Sequence, residues 1–214
     1  MLAQDRDVVV IEPNIYRDVI FASQRLARGT CEIVEFSFGA TESDVALDTA
    51  GILPGDVVVA GGVAYEIMGL GGATDLSISR VREDREGPLV MPPTLGAISF
   101  HVATLRPQLR CARELLLRMA GIPSYGETVA GSPRAEHVTN ARDLIAAQVY
   151  ATLAMVYSAL GAGQGNEGAM NQRAALMQRR FEYEAERTMM LVDMNGDGKP
   201  DAVRRLTGGV LVRG

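Results

Sequence analysis

Residues 55–81, "GDVVVAGGVAYEIMGLGGATDLSISRV", decide how the front of this chain is read. The run "GDVVVAGG" (55–62) is short, apolar and bounded by turn residues, with Pro54-Gly55-Asp56 as its opening turn. Gly61-Gly62 predicts a tight hairpin turn into a second strand, "VAYEIMGLGG" (63–72). "ATDLSISRV" (73–81) then alternates Leu76 and Ile78 with polar partners, which is the period of a half-buried strand. Glycines placed between strands, rather than opening a helix, mark a hairpin and not a phosphate cradle.

Working outward, "TCEIVEFSF" (30–38) and "GAISFHVAT" (96–104) repeat the alternation. Five short strands joined by Gly-rich turns predict a small barrel or sandwich rather than an open sheet. Ahead of them "IYRDVIFASQRLARG" (15–29) reads as a helix ended by Gly29. The segment "EDREGPLVMPPT" (83–94), with three prolines, is an extended excursion of the length that tends to be functional or to form an interface.

Behind residue 104 the period changes to that of helices. "TLRPQLRCARELLLRMAGI" (104–122) has Pro107 in its first turn and ends at Gly121, with Leu109, Leu116 and Met119 near one face. "NARDLIAAQVYATLAMVYSALGAG" (140–163) is expected to be capped by Asn140, with Asp143 in the first turn. Its interior is apolar nearly all round, which implies burial on several sides. After the loop "GAGQGNEG" (161–168), residues 169–192 place Met170, Ala174, Met177, Phe181, Thr188 and Leu191 at three- and four-residue steps. The opposite face carries Arg179, Arg180, Glu182, Glu184, Glu186 and Arg187, a solvated face or a subunit seam. The expected fold class is therefore α+β. A small β-barrel-like domain with a leading helix (1–104) precedes an α-helical bundle (105–192), then an Asp/Gly turn and a C-terminal β arm (193–214).

Composition narrows the function classes. A chain of 214 residues with 47% hydrophobic residues suits one large or two small domains, and its core is built from aliphatics and ten methionines, without tryptophan. The net charge of −5 argues against general nucleic-acid binding by phosphate neutralisation. Lys199 is the only lysine, so the positive charge is almost wholly arginine, the residue suited to bidentate pairs. The charged start "MLAQDRDVVVIEP" does not read as a signal peptide, no run reaches the ~18 apolar residues of a membrane span, and cytoplasmic synthesis is expected. Cys31 and Cys111 read as buried free thiols, a disulfide between them being the less favoured alternative.

Catalytic chemistry finds little footing. His101 and His137 are too few for a His-rich metal site and read as structural or surface groups. No G-x-S-x-G, P-loop or H-E-x-x-H motif is present, and Cys31 has no evident base. Glu182 and Glu186 share a helix face among arginines, which pairing explains. The expectation is a protein without catalysis.

The motif that invites a site is "DMNGDGKPD" (193–201). Asp193, Asn195, Asp197, the Lys199 carbonyl and Asp201 alternate as calcium-loop ligands do, and Gly198 is sixth. Arg204 stands where the bidentate twelfth-position glutamate belongs, so any calcium site here is weak. The competing reading is structural: Asn195-Gly196 and Asp197-Gly198 are turn dipeptides, Pro200 forbids helix, and the stretch ends the long helix at about Leu191. It would then turn the chain into "AVRRLTGGVLVRG" (202–214), an arm that must dock to be stable.

The run from 140 to the end, "RDLIAAQVYATLAMVYSAL … RFEYEAERTMMLVDMNGDGKPDAVRRLTGGVLVRG", resembles head–tail connector (adaptor) proteins of tailed bacteriophages and gene transfer agents. In that family a helix rich in arginine and acids, matched here by Arg179, Arg180, Phe181 and Glu184, runs into an Asp-Gly turn and a short β arm. The match covers about the last 75 residues, and "EPNIYRDVIFASQRL" with "AGILPGDVVVAGG" looks like a small barrel fused to such adaptors. The resemblance implies a structural virion protein at the head–tail junction, assembled in the host cytoplasm. It would form a ring beneath the portal protein, dodecameric by family, and extend the DNA channel toward a neck, stopper or tail protein. DNA would pass without specific binding, and no membrane is involved. The docking arm implied is Val203, Arg204, Arg205, Leu206, Val210, Leu211 and Val212, joined to a portal or neighbouring subunit by strand addition. The rival class is a calcium-dependent binding module with a β-barrel ligand domain.

Overall fold

The structure is a computed structural model that describes residues 3–19, 21–123, 133–162 and 168–206. It divides into two compact units: Gln4–Arg106, and the described residues from Pro107 onward together with Ala3. The fold class is α+β, with a closed antiparallel barrel of six strands and several helices.

In the first unit, helices α1 (Asp5–Ile11) and α2 (Ile15–Asp18) precede strands β1 (Arg25–Val34), β2 (Ser37–Ser43), β3 (Val57–Ala60), β4 (Val63–Leu70), β5 (Asp75–Arg80) and β6 (Leu95–Ala103). The barrel closes in the order β1-β2-β5-β4-β3-β6. Alternation sends Ala27, Cys31, Ile33, Phe38, Tyr65, Ile67, Leu76, Ile78, Phe100 and Val102 into one core. Phe38 and Phe100 meet edge-to-face at 4.9 Å. The β3–β4 turn is Gly61-Gly62, both at positive φ (57° and 82°), the backbone that a tight two-residue hairpin requires.

Two sequence expectations fail here for one reason, barrel closure. Residues 15–29 are not one helix: α2 is a single turn, Ala22–Gln24 is a 3-10 turn, and Arg25 onward is β1. Pairing of β1 with β6, from Arg25 opposite Ala103 to Ile33 opposite Leu95, overrides the local helical preference. Gly29 is thus no helix stop. A Cβ there would lie 1.9 Å from the Glu42 carbonyl oxygen on β2, so the residue is glycine because two backbones meet. Gly29→Ala is expected to cost about 3 kcal/mol, the upper part of the overpacking range, read as a lowered urea midpoint. Likewise 30–38 is not one strand. Val34 pairs with Ser37 across a turn at Glu35, whose φ is 54°. Five expected strands become six.

In the second unit, α3 (Arg106–Met119), α4 (Ile145–Gly161) and α5 (Ala169–Arg187) are followed by strands β7 (Met189–Val192) and β8 (Ala202–Arg205). Leu116, Leu117, Leu144, Ala147, Phe181, Met190, Val192 and Leu206 share its core. Tyr150 lies under Arg180 (5.7 Å) and Tyr157 under Arg173 (5.6 Å), so α4 and α5 run antiparallel and two arginines of α5 roof two tyrosines of α4. Ala141–Gly161 is, contrary to the sequence expectation, long and apolar enough to span a membrane by composition. Its 18-residue window is 61% buried within the structure, which is the position of a core helix. The buried Gln148 holds the interior together: its Nε2 donates to the Leu109 carbonyl and its Oε1 accepts from the Ala3 N–H, both at 2.8 Å.

Both cysteines are free, but only Cys31 is buried; Cys111 is exposed on α3. Burial pushes the Cys31 thiol up to about 11.

Candidate functional site

The sequence placed its candidate residues between 193 and 212, and the structure gives that stretch a different frame. Helix α5 stops at Arg187, not Leu191, and Met189–Val192 is already strand. Alternation of Met190 and Val192 into the core decides this, since a helix would place them on different faces. β7 pairs antiparallel with β8, Met189 opposite Arg205 and Val192 opposite Ala202. "DMNGDGKPD" is therefore the tip of a hairpin rather than the hinge of a free arm.

On its other side β7 is tied to residues 137–140. The Asp193 N–H donates to the His137 carbonyl (2.8 Å) and the Thr139 N–H to the Leu191 carbonyl (3.0 Å). Asn140 was expected to cap the following helix and does not. Its Oδ1 instead accepts the Leu191 N–H (2.8 Å) while its Nδ2 donates to the Met189 carbonyl (2.7 Å), so the side chain acts as a short surrogate strand. His137 is structural in this sense, and His101 of the barrel sets its Nε2 2.8 Å from the Tyr16 carbonyl oxygen.

The tip holds its own shape. Asp193 accepts the Gly196 N–H on Oδ1 (2.7 Å) and the Gly198 N–H on Oδ2 (2.8 Å). Asp201 Oδ2 accepts the Met194 and Asn195 N–H groups (2.9 and 3.2 Å). Asn195 Oδ1 accepts from Asp197 N–H, and Asp197 Oδ1 from Lys199 N–H. Burial of Asp193 opposes its charge, but the N–H groups of Gly198 and Gly196 outweigh it and hold the carboxyl below its ordinary range. Gly196 and Gly198 sit at φ 77° and 82°, which explains the two glycines. Among the described residues no three His, Cys, Asp or Glu side chains converge as a metal cage. Every acidic or amide residue that the pattern offers as a ligand is thus turned, by at least one oxygen, toward loop N–H groups. Titration with Ca²⁺ is expected to show no micromolar binding; micromolar heat abolished by Asp197→Ala would make the tip a calcium site after all.

Of the docking residues, Val203, Arg204 and Arg205 lie in β8 and are exposed, whereas Leu206 is buried in the helical core at 1% exposure. Val210, Leu211 and Val212 lie outside the described residues. Met189, Leu191, Val203 and Arg205 share the outward face of the hairpin, and Met189 and Val203 are exposed. Among the described residues β8 is paired on one side only. An open strand edge beside exposed apolar side chains is the arrangement that adds a partner strand.

The barrel unit carries features that sequence reasoning missed. Glu66, fully buried on β4, lies between Arg6 (Nε 3.0 Å) and Arg82, and Asp7 is paired with Arg85. This ties α1 and the opening of the 83–94 excursion to β4. The clue in the sequence was a charged triplet, Asp5-Arg6-Asp7, directly before the apolar run Val8–Ile11. Beside it, Val10, Pro13, Val63 and Pro93 wall an open groove of about 880 Å³, into which Arg80 and Glu83 also face.

No protein-family model, curated protein or solved structure matches this chain.

Proposed function

We propose that the chain is a head–tail adaptor, an assembly protein without catalysis that forms a ring beneath a portal. In this reading a barrel domain precedes a helical adaptor domain, and the ring extends the DNA channel and receives a neck or tail protein. The observation that carries it is the β7–β8 hairpin: a half-open sheet with Met189, Leu191 and Val203 facing outward, mounted on the arginine-rich helix α5. The family resemblance from residue 140 onward supplies the rest, and the net charge of −5 suits a conduit through which DNA slides.

In this reading the docking element is the open edge of β8 and its outward face, with Val203 and Arg205 on that face and Arg204 exposed on the other, presented to a portal or neighbouring subunit. Val203→Asp places a charge on that face without touching the core. It is expected to abolish ring assembly and co-purification with a co-expressed portal protein, while the circular dichroism spectrum and melting temperature stay within error. Negative-stain micrographs of the wild-type protein with that portal check the premise; compact monomers without a central hole would refute it.

A further inference from the structure

A hollow of about 180 Å³ opens beside α1, walled among others by Gln4, Arg6, Glu66, Met68, Arg82 and Arg85. It is smaller than the roughly 300–1,000 Å³ of pockets for drug-sized ligands, so it suits an ion rather than a nucleotide or a peptide. Three guanidiniums meet here with two paired carboxylates, Glu66 between Arg6 and Arg82 and Asp7 beside Arg85. Those five groups carry one positive charge in excess, while the other acids of the adjoining stretch, Glu83, Asp84 and Glu86, are exposed. Burial lowers the Arg6 pKa from its ordinary value; Glu66 and Asp7 oppose the shift, and the like charges of Arg82 and Arg85 add to it.

Hydrogen bonding is unfinished in the same place. Arg6 Nη2 donates to the Arg82 carbonyl, Arg82 Nε to Glu66 Oε1 and Arg82 Nη1 to the Gly87 carbonyl. Arg82 Nη2 has as its acceptor the Met68 thioether at 3.5 Å, a weak one. Arg6 Nε and Glu66 Oε2 lie 3.0 Å apart but out of alignment, and among the described residues neither finds a hydrogen-bond partner. Arg6, Arg82 and Glu66 are buried, at 3%, 8% and 0% exposure, where an unmet polar atom calls for a bound group. An unmet donor, an unmet acceptor and a surplus positive charge therefore belong to the walls of one hollow.

We propose that this hollow binds one free inorganic phosphate, whose oxygens accept from Arg6 and Arg82 and whose hydroxyl donates to Glu66. Guanidiniums suit such an oxyanion because their N–H groups form a rigid fork that meets two oxygens at once. Arg85, bidentate on Asp7 and with its side chain 30% exposed, adds attraction from the more exposed side. At neutral pH phosphate retains at least one hydroxyl, whereas sulfate, a tetrahedral anion of like size, retains none. Sulfate would set an acceptor against Glu66 Oε2, so the site discriminates by a proton rather than by shape. A bound phosphate joins α1, β4 and the start of the 83–94 excursion, all within the barrel unit.

Isothermal titration of the full chain at neutral pH, in buffer free of both anions, tests this. Phosphate is expected to bind once per chain, and sulfate roughly ten- to hundredfold more weakly, the loss that follows when a buried acceptor goes unmet. Hydrogen exchange with phosphate added is expected to slow at the α1 and β4 amides and to stay unchanged in α4 and α5. Arg85→Gln, at the most exposed of the three arginines, is expected to fold and to weaken phosphate about tenfold. Glu66→Gln puts an N–H donor beside the hollow and is expected to reduce the preference for phosphate over sulfate; where it does not fold, the wild-type comparison and Arg85→Gln decide alone. No binding of phosphate at millimolar concentration, the hollow then holding water, overturns the site. So do equal affinities for phosphate and sulfate, which mean an adventitious ion only, protection appearing outside the barrel unit, unweakened binding in Arg85→Gln, or an unchanged preference in a folded Glu66→Gln. None of these readouts depends on ring assembly, so the site and the adaptor reading stand or fall separately.

Discussion

Glu66→Ala is expected to destabilise the barrel unit by about 3–5 kcal/mol, the largest effect of any single side chain outside the apolar core. Glu66 lies at 0% exposure and pairs with both Arg6 and Arg82, themselves buried. Burial already lowers the Arg6 pKa from its ordinary value, with Glu66 the leading group opposing that shift. Removing the carboxylate strands two guanidiniums whose residues are only 3% and 8% exposed. The cost is that of unpaired buried charge, not the net worth of the pair. A triple variant, Arg6→Leu with Glu66→Leu and Arg82→Met, separates the two quantities, since it removes all three charges and retains volume. It is expected to be clearly more stable than Glu66→Ala. Exchange of the β4 and β5 amides reads the barrel separately from the helices. A loss below about 1 kcal/mol in Glu66→Ala would mean that water solvates the cluster.

Leu206→Ala is expected to cost the helical unit about 2–5 kcal/mol, followed by urea denaturation with exchange at Met190 and Val192. The residue is 1% exposed and packs with Phe181, Met190 and Val192. A detachable arm would lose nothing at this position, so the measurement decides between hairpin and arm. It also dictates how docking is tested. Cutting the chain before Ala202 removes β8 and Leu206 together, and lost assembly would then report unfolding. Val203→Asp leaves that core whole and isolates the surface.

What was legible in the sequence follows the range of the forces involved. The β3–β4 hairpin was readable because Gly61-Gly62 and the alternation beside it are local signals. The cores of α3 and α5 were readable because three- and four-residue spacing states which side of a helix is apolar. β1 was misread because its partner β6 lies some 70 residues away, and no local pattern announces that pairing. The turn at Glu35 was missed since a glutamate at positive φ carries no composition cue. The candidate site shows the same division. The acids and glycines of the tip were recognised as a turn, but the strand before it was taken for helix because Met189-Met190-Leu191-Val192 suits either state.

By itself, then, the sequence determined the α+β class, the glycine-pair turn at Gly61-Gly62 and the turn character of residues 193–201, all set by neighbours within a few residues. Tertiary structure alone decided the closure of the barrel, the pairing of Arg6, Glu66 and Arg82, and the return of β8 onto β7. Each of these joins residues distant in sequence, where the favourable term is burial or pairing realised only once the chain has closed on itself.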